Sequence, residues 1–118
     1  MMVKTLWAKV KLATVTKSSV RYEGSLGLDP AIMRDLQVSP YQVVNINSIG
    51  GDIRTETYLL EEGEGTGAVV VRGALANILY KGDQMHVNVY VMMSPEAAAE
   101  HKPLVIESNE PYMKKNKE

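Results

Sequence analysis

The sequence predicts a single mainly β domain with short helices, whose strands close, or nearly close, into a mixed barrel. Several segments alternate apolar and polar residues with the period of two that is typical of half-buried strands. Turn signals divide the chain into about seven short strands with small helical segments between them. The chain has 118 residues, which is room for one modest core, and a flat sheet of this size would leave its edges exposed.

The N-terminal third of the chain contains two predicted strands and one predicted helix. The first strand covers residues 6–16, and a shorter one follows over residues 19–22. The core face of the first strand is expected to consist of alternate apolar residues: Leu6, Ala8, Val10 and Leu12. Asp29 before Pro30 is typical of a helix N-cap with proline at the first helical position. The helix is expected to bury a stripe of three residues: Ile32, Met33 and Leu36.

Turn signals organise the rest of the chain. Gly50-Gly51 separates two alternating segments and predicts a two-residue hairpin with positive φ angles. Residues 61–67 are expected to form a solvated polar turn, in which Glu61, Glu62 and Glu64 face water. A strand, a helix, a turn, a strand, a helix and a closing strand follow, over residues 68–73, 74–80, 81–83, 84–93, 94–101 and 102–106. Residues 111–118 have little to bury and are expected to be a loose tail.

The composition argues against several classes of function. A formal net charge of −1 gives no reason to expect a nucleic acid or an acidic membrane as a partner. Cysteine is absent, which excludes a disulfide framework and a thiolate nucleophile. The two histidines, His86 and His101, lack metal-ligand spacing to carboxylates, so no metal is expected. The sequence has neither an apolar signal segment nor a run of membrane-spanning length, so a cytoplasmic protein is expected.

The pair Gly24-Ser25 has a second interpretation besides a simple turn. A serine Oγ can attack the carbonyl carbon of the preceding residue and convert the peptide bond to an ester. Glycine before serine favours this, because a residue without Cβ tolerates strained backbone angles and leaves its carbonyl open. β-Elimination from the ester gives dehydroalanine, whose hydrolysis leaves a pyruvoyl group. That ketone condenses with an amine to an imine and withdraws electrons as pyridoxal phosphate does.

The predicted strand around residues 52–60 carries polar side chains that suit such chemistry. Arg54, Glu56 and Tyr58 share one face of it. Arginine is a bidentate ligand for carboxylates, and tyrosine can donate or accept a proton in a dry site. The same residues also suit a surface Arg–Glu pair beside a half-buried tyrosine. The residues alone therefore leave both interpretations open.

Several short motifs extend this pattern along nearly the whole chain, from about residue 4 to about residue 107. They are KVKLATVT at 9–16, YEGS at 22–25, R-x-x-T-Y at 54–58, G-A-x-A at 73–76, GD at 82–83 and M-x-P-E-x-A at 93–98. In order and spacing they resemble the pyruvoyl-dependent aspartate 1-decarboxylases, a family that makes β-alanine for pantothenate synthesis.

The resemblance implies a double-psi β-barrel that assembles as a homotetramer, with active sites between neighbouring subunits. It implies self-cleavage between Gly24 and Ser25, which divides the domain 1–118 into a β chain of residues 1–24 and an α chain of residues 25–118. The cofactor it implies is a covalent pyruvoyl group made from Ser25. The substrate would be a small amino acid. A maturation factor is a further partner that the sequence leaves open.

The resemblance also implies roles for individual residues. The pyruvoyl from Ser25 would take the substrate amine, and Tyr58 would protonate the substrate carbon after CO₂ leaves. Thr57 would steady the Gly24 carbonyl during cleavage and then contact substrate. The substrate-binding residues that the resemblance implies are Lys9, Arg54, Thr57, Gly73, Ala74 and Leu75, the last three through the backbone.

Four positions depart from the family pattern. They are Arg72 in place of asparagine, Lys11 in place of histidine, Asn47 in place of tryptophan and Leu75 in place of alanine. Arg72 has two interpretations. It either points into the pocket as a second cation beside Arg54, or it turns outward to pair with a surface acid.

Three functions therefore remain after the sequence analysis. The first is aspartate decarboxylation. The second is the same pyruvoyl chemistry on another amino acid, and the third is a barrel that never processes and serves as a binding module. Intact mass separates the third from the other two, and an amino-acid panel separates the first two.

Overall fold

The computed structural model describes residues 1–21 and 23–113 of the chain. Those residues form eight strands, two α-helices and two 3₁₀ helices. In chain order these elements are β1 (Val3–Thr14), β2 (Lys17–Ser19), β3 (Ser25–Leu28), α1 (Pro30–Leu36), β4 (Val43–Ser48), β5 (Arg54–Glu61), β6 (Val69–Arg72), a 3₁₀ helix (Gly73–Asn77), β7 (Gln84–Met93), α2 (Pro95–Glu100), β8 (Leu104–Ser108) and a 3₁₀ helix (Glu110–Tyr112).

The strands follow the order β2-β6-β3-β5-β4-β7-β1-β8. Three neighbouring pairs are parallel, namely β1 with β8, β2 with β6 and β3 with β5. The other four pairs are antiparallel. The prediction of a mainly β fold with short helices and mixed pairing is thus confirmed. The specific double-psi topology stays a prediction of the resemblance.

The core face of β1 follows the predicted alternation only in part. Ala8 and Val10 are buried as expected. The pairing of β1 with β7 shifts register between Val10 and Ala13, which is a bulge-type irregularity. Beyond it the two faces exchange, so that Leu12 is 39% exposed and Ala13 is completely buried. The prediction that Leu12 lies on the core face is therefore wrong.

Two further predicted elements differ from the structure. The second strand ends at Ser19, and Val20 and Arg21 form a turn instead of strand. Gly50-Gly51 does not form a two-residue hairpin, because residues 49–53 all lie between β4 and β5. Only Gly51 has a positive φ there.

A side chain explains this wider connection. The Ser48 hydroxyl accepts a hydrogen bond from the N–H of Ile53 at 3.1 Å and donates one to Asp52 at 2.6 Å. These bonds close the connection around its base, in the manner of local side-chain turns.

The strand β3 was not predicted. All four of its residues are buried, and it lies between β5 and β6. A short strand that is covered on both faces has no alternation of polar and apolar residues, so its sequence carries no period-two signal. It nevertheless places Ser25 at the start of a central strand.

The helix α1 begins as predicted. The Asp29 side chain accepts a hydrogen bond from the N–H of Ala31 at 2.8 Å, and Pro30 is the first helical residue. The helix buries the predicted stripe: Ile32, Met33 and Leu36. It ends at Leu36, and the C-cap residue Gln37 adopts the left-handed conformation with φ of 55°.

The C-terminal residues contact the rest of the domain as far as Met113. Asn109 is completely buried, and Tyr112 donates a hydrogen bond to Asp35 on α1. Residues 111–113, which we expected to be loose, therefore have definite contacts. Residues 114–118 lie outside the described residues. In the part of the chain that the structure describes, no helix is long and apolar enough to cross a membrane.

Candidate active site

Ser25 is the first residue of β3 and lies deep in the fold. It is 1% exposed, whereas Gly24 just before it is exposed. Ser25 pairs with Arg72 of the antiparallel neighbour β6. Its Oγ atom is buried and has no hydrogen-bond partner among the described residues. A buried hydroxyl without a partner is rare and calls for an explanation.

A cavity of about 450 Å³ adjoins Ser25 on the side of β5. Leu26 pairs with Leu59 in the parallel pair β3–β5, so one residue earlier Ser25 lies beside Tyr58. Both of them line the cavity. Its other lining residues are Glu23, Leu60, Glu61, Glu62 and Arg72. The structure thus brings together the two residues predicted to be catalytic.

A second cavity of about 300 Å³ lies on the Gly24 side of the same peptide bond. Four of the predicted site residues line it: Gly24, Thr57, Ala74 and Leu75. Gly73 begins the 3₁₀ helix directly after Arg72 and has a φ of 78°, which favours glycine. The sharp change of direction after β6 carries Ala74 and Leu75 to this cavity.

Arg72 lines both cavities and forms an ion pair with Glu62. Both side chains are 20% exposed. Arg72 therefore satisfies parts of both interpretations, because it lies at the pocket and is also paired with an acid. The expectation that Glu62 faces water is wrong, although Glu61 and Glu64 are exposed as predicted.

Gly27 gives Glu62 its position. A Cβ atom on Gly27 would lie 2.4 Å from Glu62 Cγ, so the Glu62 side chain occupies the space that a side chain on β3 would fill. The Glu62 N–H also donates to the carbonyl of Leu28 at 2.9 Å. Sequence reasoning missed Glu62 because nothing in EEGEG distinguishes one glutamate from another. The one available signal in the sequence was Arg72, because a charged residue at the position of the family's asparagine calls for an acidic partner nearby.

Lys9 and Arg54 do not line either cavity. Lys9 lies on β1, which is separated from β5 by β7 and β4. Lys9 pairs with Asn88, Asn88 with Asn45, and Asn45 with Glu56, so one polar row crosses four strands. Arg54 pairs with Asn47, two residues further along the sheet, and is exposed. Within one chain, three strand spacings, on the order of 14 Å, thus separate the strands of the two predicted carboxylate ligands.

The charges around the first cavity are unbalanced. Its lining includes three carboxylates, those of Glu23, Glu61 and Glu62, but a single guanidinium, that of Arg72. Among the described residues, no group of three histidine, aspartate or glutamate side chains is placed to hold a metal ion.

Comparison with known proteins shows the family of this chain. The model of the aspartate decarboxylase family matches residues 1–114. The chain belongs to this family. A relative from Syntrophotalea carbinolica, named aspartate 1-decarboxylase, is 31% identical over 103 residues, which is 87% of this chain and 79% of the relative. A relative of the same name from Clostridium acetobutylicum is 32% identical over 105 residues, covering 89% of this chain and 83% of the relative.

A third family member, from Rhodopirellula baltica and again named aspartate 1-decarboxylase, is 35% identical over 103 residues, which is 87% of this chain and 66% of that relative. In this chain the family's reactive serine position, as the resemblance implies it, is Ser25. It is the position at which the structure buries a hydroxyl without a hydrogen-bond partner among the described residues.

Proposed function

We propose that this protein is a pyruvoyl-dependent enzyme that decarboxylates L-aspartate to β-alanine and CO₂ for pantothenate synthesis. The observation that carries the proposal is the buried Oγ of Ser25, which no described residue engages and which follows an exposed glycine. Family membership supports the reaction class. A biosynthetic role of this kind is consistent with the cytoplasmic location expected from the sequence.

The proposed maturation begins with attack of Ser25 Oγ on the carbonyl carbon of Gly24. The Gly24–Ser25 peptide bond breaks as the ester bond forms, and the proton of the hydroxyl passes to the freed amine. Elimination then removes the Cα proton of residue 25 and breaks the Cβ–Oγ bond, which forms the double bond of dehydroalanine and leaves Gly24 as a free carboxylate. Water finally replaces the amine nitrogen of the resulting dehydroalanine, which releases ammonia and leaves the pyruvoyl group on residue 25. No oxidant is consumed.

The residues around this bond suit both maturation and catalysis. Thr57 lines the cavity on the Gly24 side. Its hydroxyl would steady the Gly24 carbonyl during cleavage. A pyruvoyl group supplies a ketone that condenses with the substrate amine and draws electrons from the bond to the departing carboxylate. Tyr58, on the wall of the Ser25 cavity, would return a proton to the substrate carbon. The loop Gly73–Leu75 would offer backbone groups to substrate.

We also propose that the active assembly is a homotetramer with sites between subunits. The Ser25 cavity has an acidic lining and is open to solvent, which suits a dicarboxylate substrate poorly in an isolated chain. Lys9 and Arg54, the residues proposed to bind carboxylate, do not line this cavity in a single chain. A neighbouring subunit would supply the cations that one chain does not bring to Ser25.

Intact mass under denaturing conditions tests the proposal most directly. Purified protein should contain two chains, residues 1–24 and 25–118, and the longer one should lack a free α-amine. The processed protein should release CO₂ from L-aspartate in preference to other amino acids, and it should sediment as a tetramer at micromolar concentration. A preparation that stays a single chain after prolonged warming would contradict the enzyme reading, and it would leave the binding-module alternative.

A further inference from the structure

The ion pair between Arg72 and Glu62 has a role that neither the fold nor the family explains. We propose that Glu62 is a positioning residue that holds the Arg72 guanidinium against the wall of the Ser25 cavity and cancels its charge. Arg72 then contributes hydrogen-bond donors to the pocket without gripping the carboxylate that must leave. This inference rests on the proposed decarboxylase function and concerns the charge balance of its substrate pocket.

The first argument is location. Arg72 is the pairing partner of Ser25 in the sheet, and it is the residue that lines the cavities on both sides of the Gly24–Ser25 bond. Glu62 lines the cavity that contains Ser25 and Tyr58. The pair therefore stands within the proposed substrate site, not on a remote surface. Both side chains are only one-fifth exposed, so water screens their interaction weakly.

The second argument is that the backbone makes room for Glu62. Gly27 is a buried position in the middle of β3, where an ordinary strand would carry an apolar side chain. A Cβ atom there would lie 2.4 Å from Glu62 Cγ and equally close to Glu62 Oε2. The glutamate thus fills the gap on β3 and points its carboxylate at Arg72. Without that gap the carboxylate would have to move.

The third argument is chemical. A permanent cation beside the departing carboxylate stabilises the bound substrate more than the transition state, in which the carboxylate charge is being lost. Such a cation would tighten binding and slow turnover. A fixed carboxylate that occupies the guanidinium removes that penalty, because the pair presents N–H donors with little net charge. Arg72 and Glu62 together would thus act as a neutral hydrogen-bonding unit.

The test compares Glu62→Gln, Arg72→Asn and the double variant, all in the processed protein. Glu62→Gln removes the negative charge that opposes the guanidinium, so we expect both KM and kcat for aspartate to fall about threefold to tenfold. Arg72→Asn leaves the Glu62 carboxylate facing substrate, so we expect KM to rise by a similar factor of about threefold to tenfold. The double variant should return KM to within about twofold of the wild type, since coupled residues are not additive.

The proposal can also be tested by ligand binding, without measuring catalytic activity. Succinate carries two carboxylates and no amine, so its Kd by calorimetry reports the charge of the pocket alone. Glu62→Gln should bind succinate more tightly than the wild type, and Arg72→Asn should bind it more weakly. The matched control is Glu64→Gln, which removes the carboxylate from the exposed Arg34–Glu64 pair and should change neither KM nor this Kd.

Gly27→Ala gives an independent variant if Glu62→Gln fails to fold. It leaves both charges in place but displaces the Glu62 side chain, so it should also lower KM, and Arg72→Asn should cancel that effect. Opposite shifts of KM in the two single variants support the proposal. Shifts in the same direction, or lower thermal stability with unchanged succinate Kd, would overturn it. Absence of processing in the wild type would instead contradict the proposed function. The succinate Kd would then still decide whether the Arg72–Glu62 pair sets the charge of the pocket.

Discussion

Two of the regions in which the described residues bury polar side chains differ in how far those side chains are hydrogen-bonded. In the first region, where α1 begins and β8 has just ended, Asp29 and Asn109 are completely buried. The Asp29 carboxylate accepts hydrogen bonds from the N–H groups of Gly65 and Gly67 at 3.1 and 2.8 Å, besides that of Ala31. Asn109 uses both ends of its amide, accepting from the Thr14 N–H and donating to the carbonyls of Thr14 and Gly67.

The second region is the start of β3. Ser25 is buried to the same degree, yet its hydroxyl has no hydrogen-bond partner among the described residues. A buried polar group that is fully satisfied stabilises and specifies a fold, whereas one without a partner carries a cost that the fold must offset. The comparison predicts that changes in the first region reduce stability, and that changes in the second reduce chemistry while leaving stability nearly intact.

The largest effect is expected from Ser25→Ala. The variant should remain a single chain and show no decarboxylation, because the attacking hydroxyl is gone. Its midpoint of thermal unfolding should nevertheless equal or exceed that of an unprocessed wild-type chain, because no hydrogen bond is lost. Intact mass and calorimetry measure the two effects.

The matched control for this variant is Ser18→Ala. The Ser18 hydroxyl is partly buried and donates to the carbonyls of Ala76 and Leu79 at 3.2 and 2.8 Å. Its removal should lower the free energy of unfolding by about 1 kcal/mol and leave processing unchanged. If Ser25→Ala were the more destabilised of the two, the Ser25 hydroxyl would have an important structural partner and the comparison would fail.

The next largest effect is expected from Tyr58→Phe. Processing should continue, because Tyr58 is not the attacking group, but turnover should fall by about 10² to 10⁴ with the loss of the proton donor. Borohydride reduction should still fix the substrate amine to the processed chain. Failure to trap substrate would show that Tyr58 acts before CO₂ is lost. Tyr41→Phe is the control, because that ring lies 6.1 Å from the Tyr58 ring and is 73% exposed.

The helix start in the first region could be predicted from local sequence, whereas the burial of Ser25 in the second could not. Asp29 followed by Pro30 is a local signal, and the helix begins there as expected. The Gly24-Ser25 pair was singled out by its chemistry and by the resemblance, but its burial between β5 and β6 depends on pairing between distant segments. No short window of sequence contains that information.

The wrong predictions for Leu12 and Glu62 have the same cause, because both depend on contacts between distant segments. Leu12 was placed in the core because strict alternation does not include a bulge, and a bulge is set by the partner strand. Glu62 was placed in water because its position depends on the absent side chain of Gly27, a residue of another strand. Periodicity predicts which elements exist. It does not predict which residues of different elements meet.

Asp29→Asn tests the first region at neutral and acid pH. Asparagine can accept from Ala31 but presents a donor where the carboxylate accepts from Gly67, so the free energy of unfolding at pH 7 should fall by about 2 kcal/mol. Processing should continue, because the change lies outside both cavities. Asp52→Asn, at an exposed turn, should cost much less.

The pH dependence of this effect follows from the pKa of Asp29. Burial raises this pKa, but the backbone N–H donors of Ala31, Gly67 and Gly65 outweigh burial, so the net pKa lies below the ordinary value of 3.8. A carboxyl whose pKa is lowered on folding contributes its stability above the unfolded pKa and loses it as pH falls through the folded pKa. The difference between wild type and Asp29→Asn should therefore shrink below about pH 4. A constant difference down to pH 2 would show that the charge is irrelevant.

The smallest effect is expected from Tyr112→Phe, which tests how far the satisfied region extends. The Tyr112 hydroxyl donates to Asp35, and burial together with that carboxylate raises the pKa of Tyr112 to about 12 from 10.0. A raised pKa means that folding favours the neutral phenol. Its contribution is therefore complete below pH 10 and is lost as pH rises towards 12. Tyr112→Phe should cost about 1 kcal/mol at pH 7 and leave processing and kcat unchanged.

Ultraviolet absorbance can follow this titration, since one of the six tyrosines should ionise late in the wild type and be missing from the variant. Asp35→Asn should move the pKa of Tyr112 down but leave it above 10.0, because burial is the larger cause. If Tyr112→Phe lowered kcat, the C-terminal contact would be coupled to the Ser25 cavity. The separation between a satisfied structural region and an unsatisfied reactive one would then no longer hold.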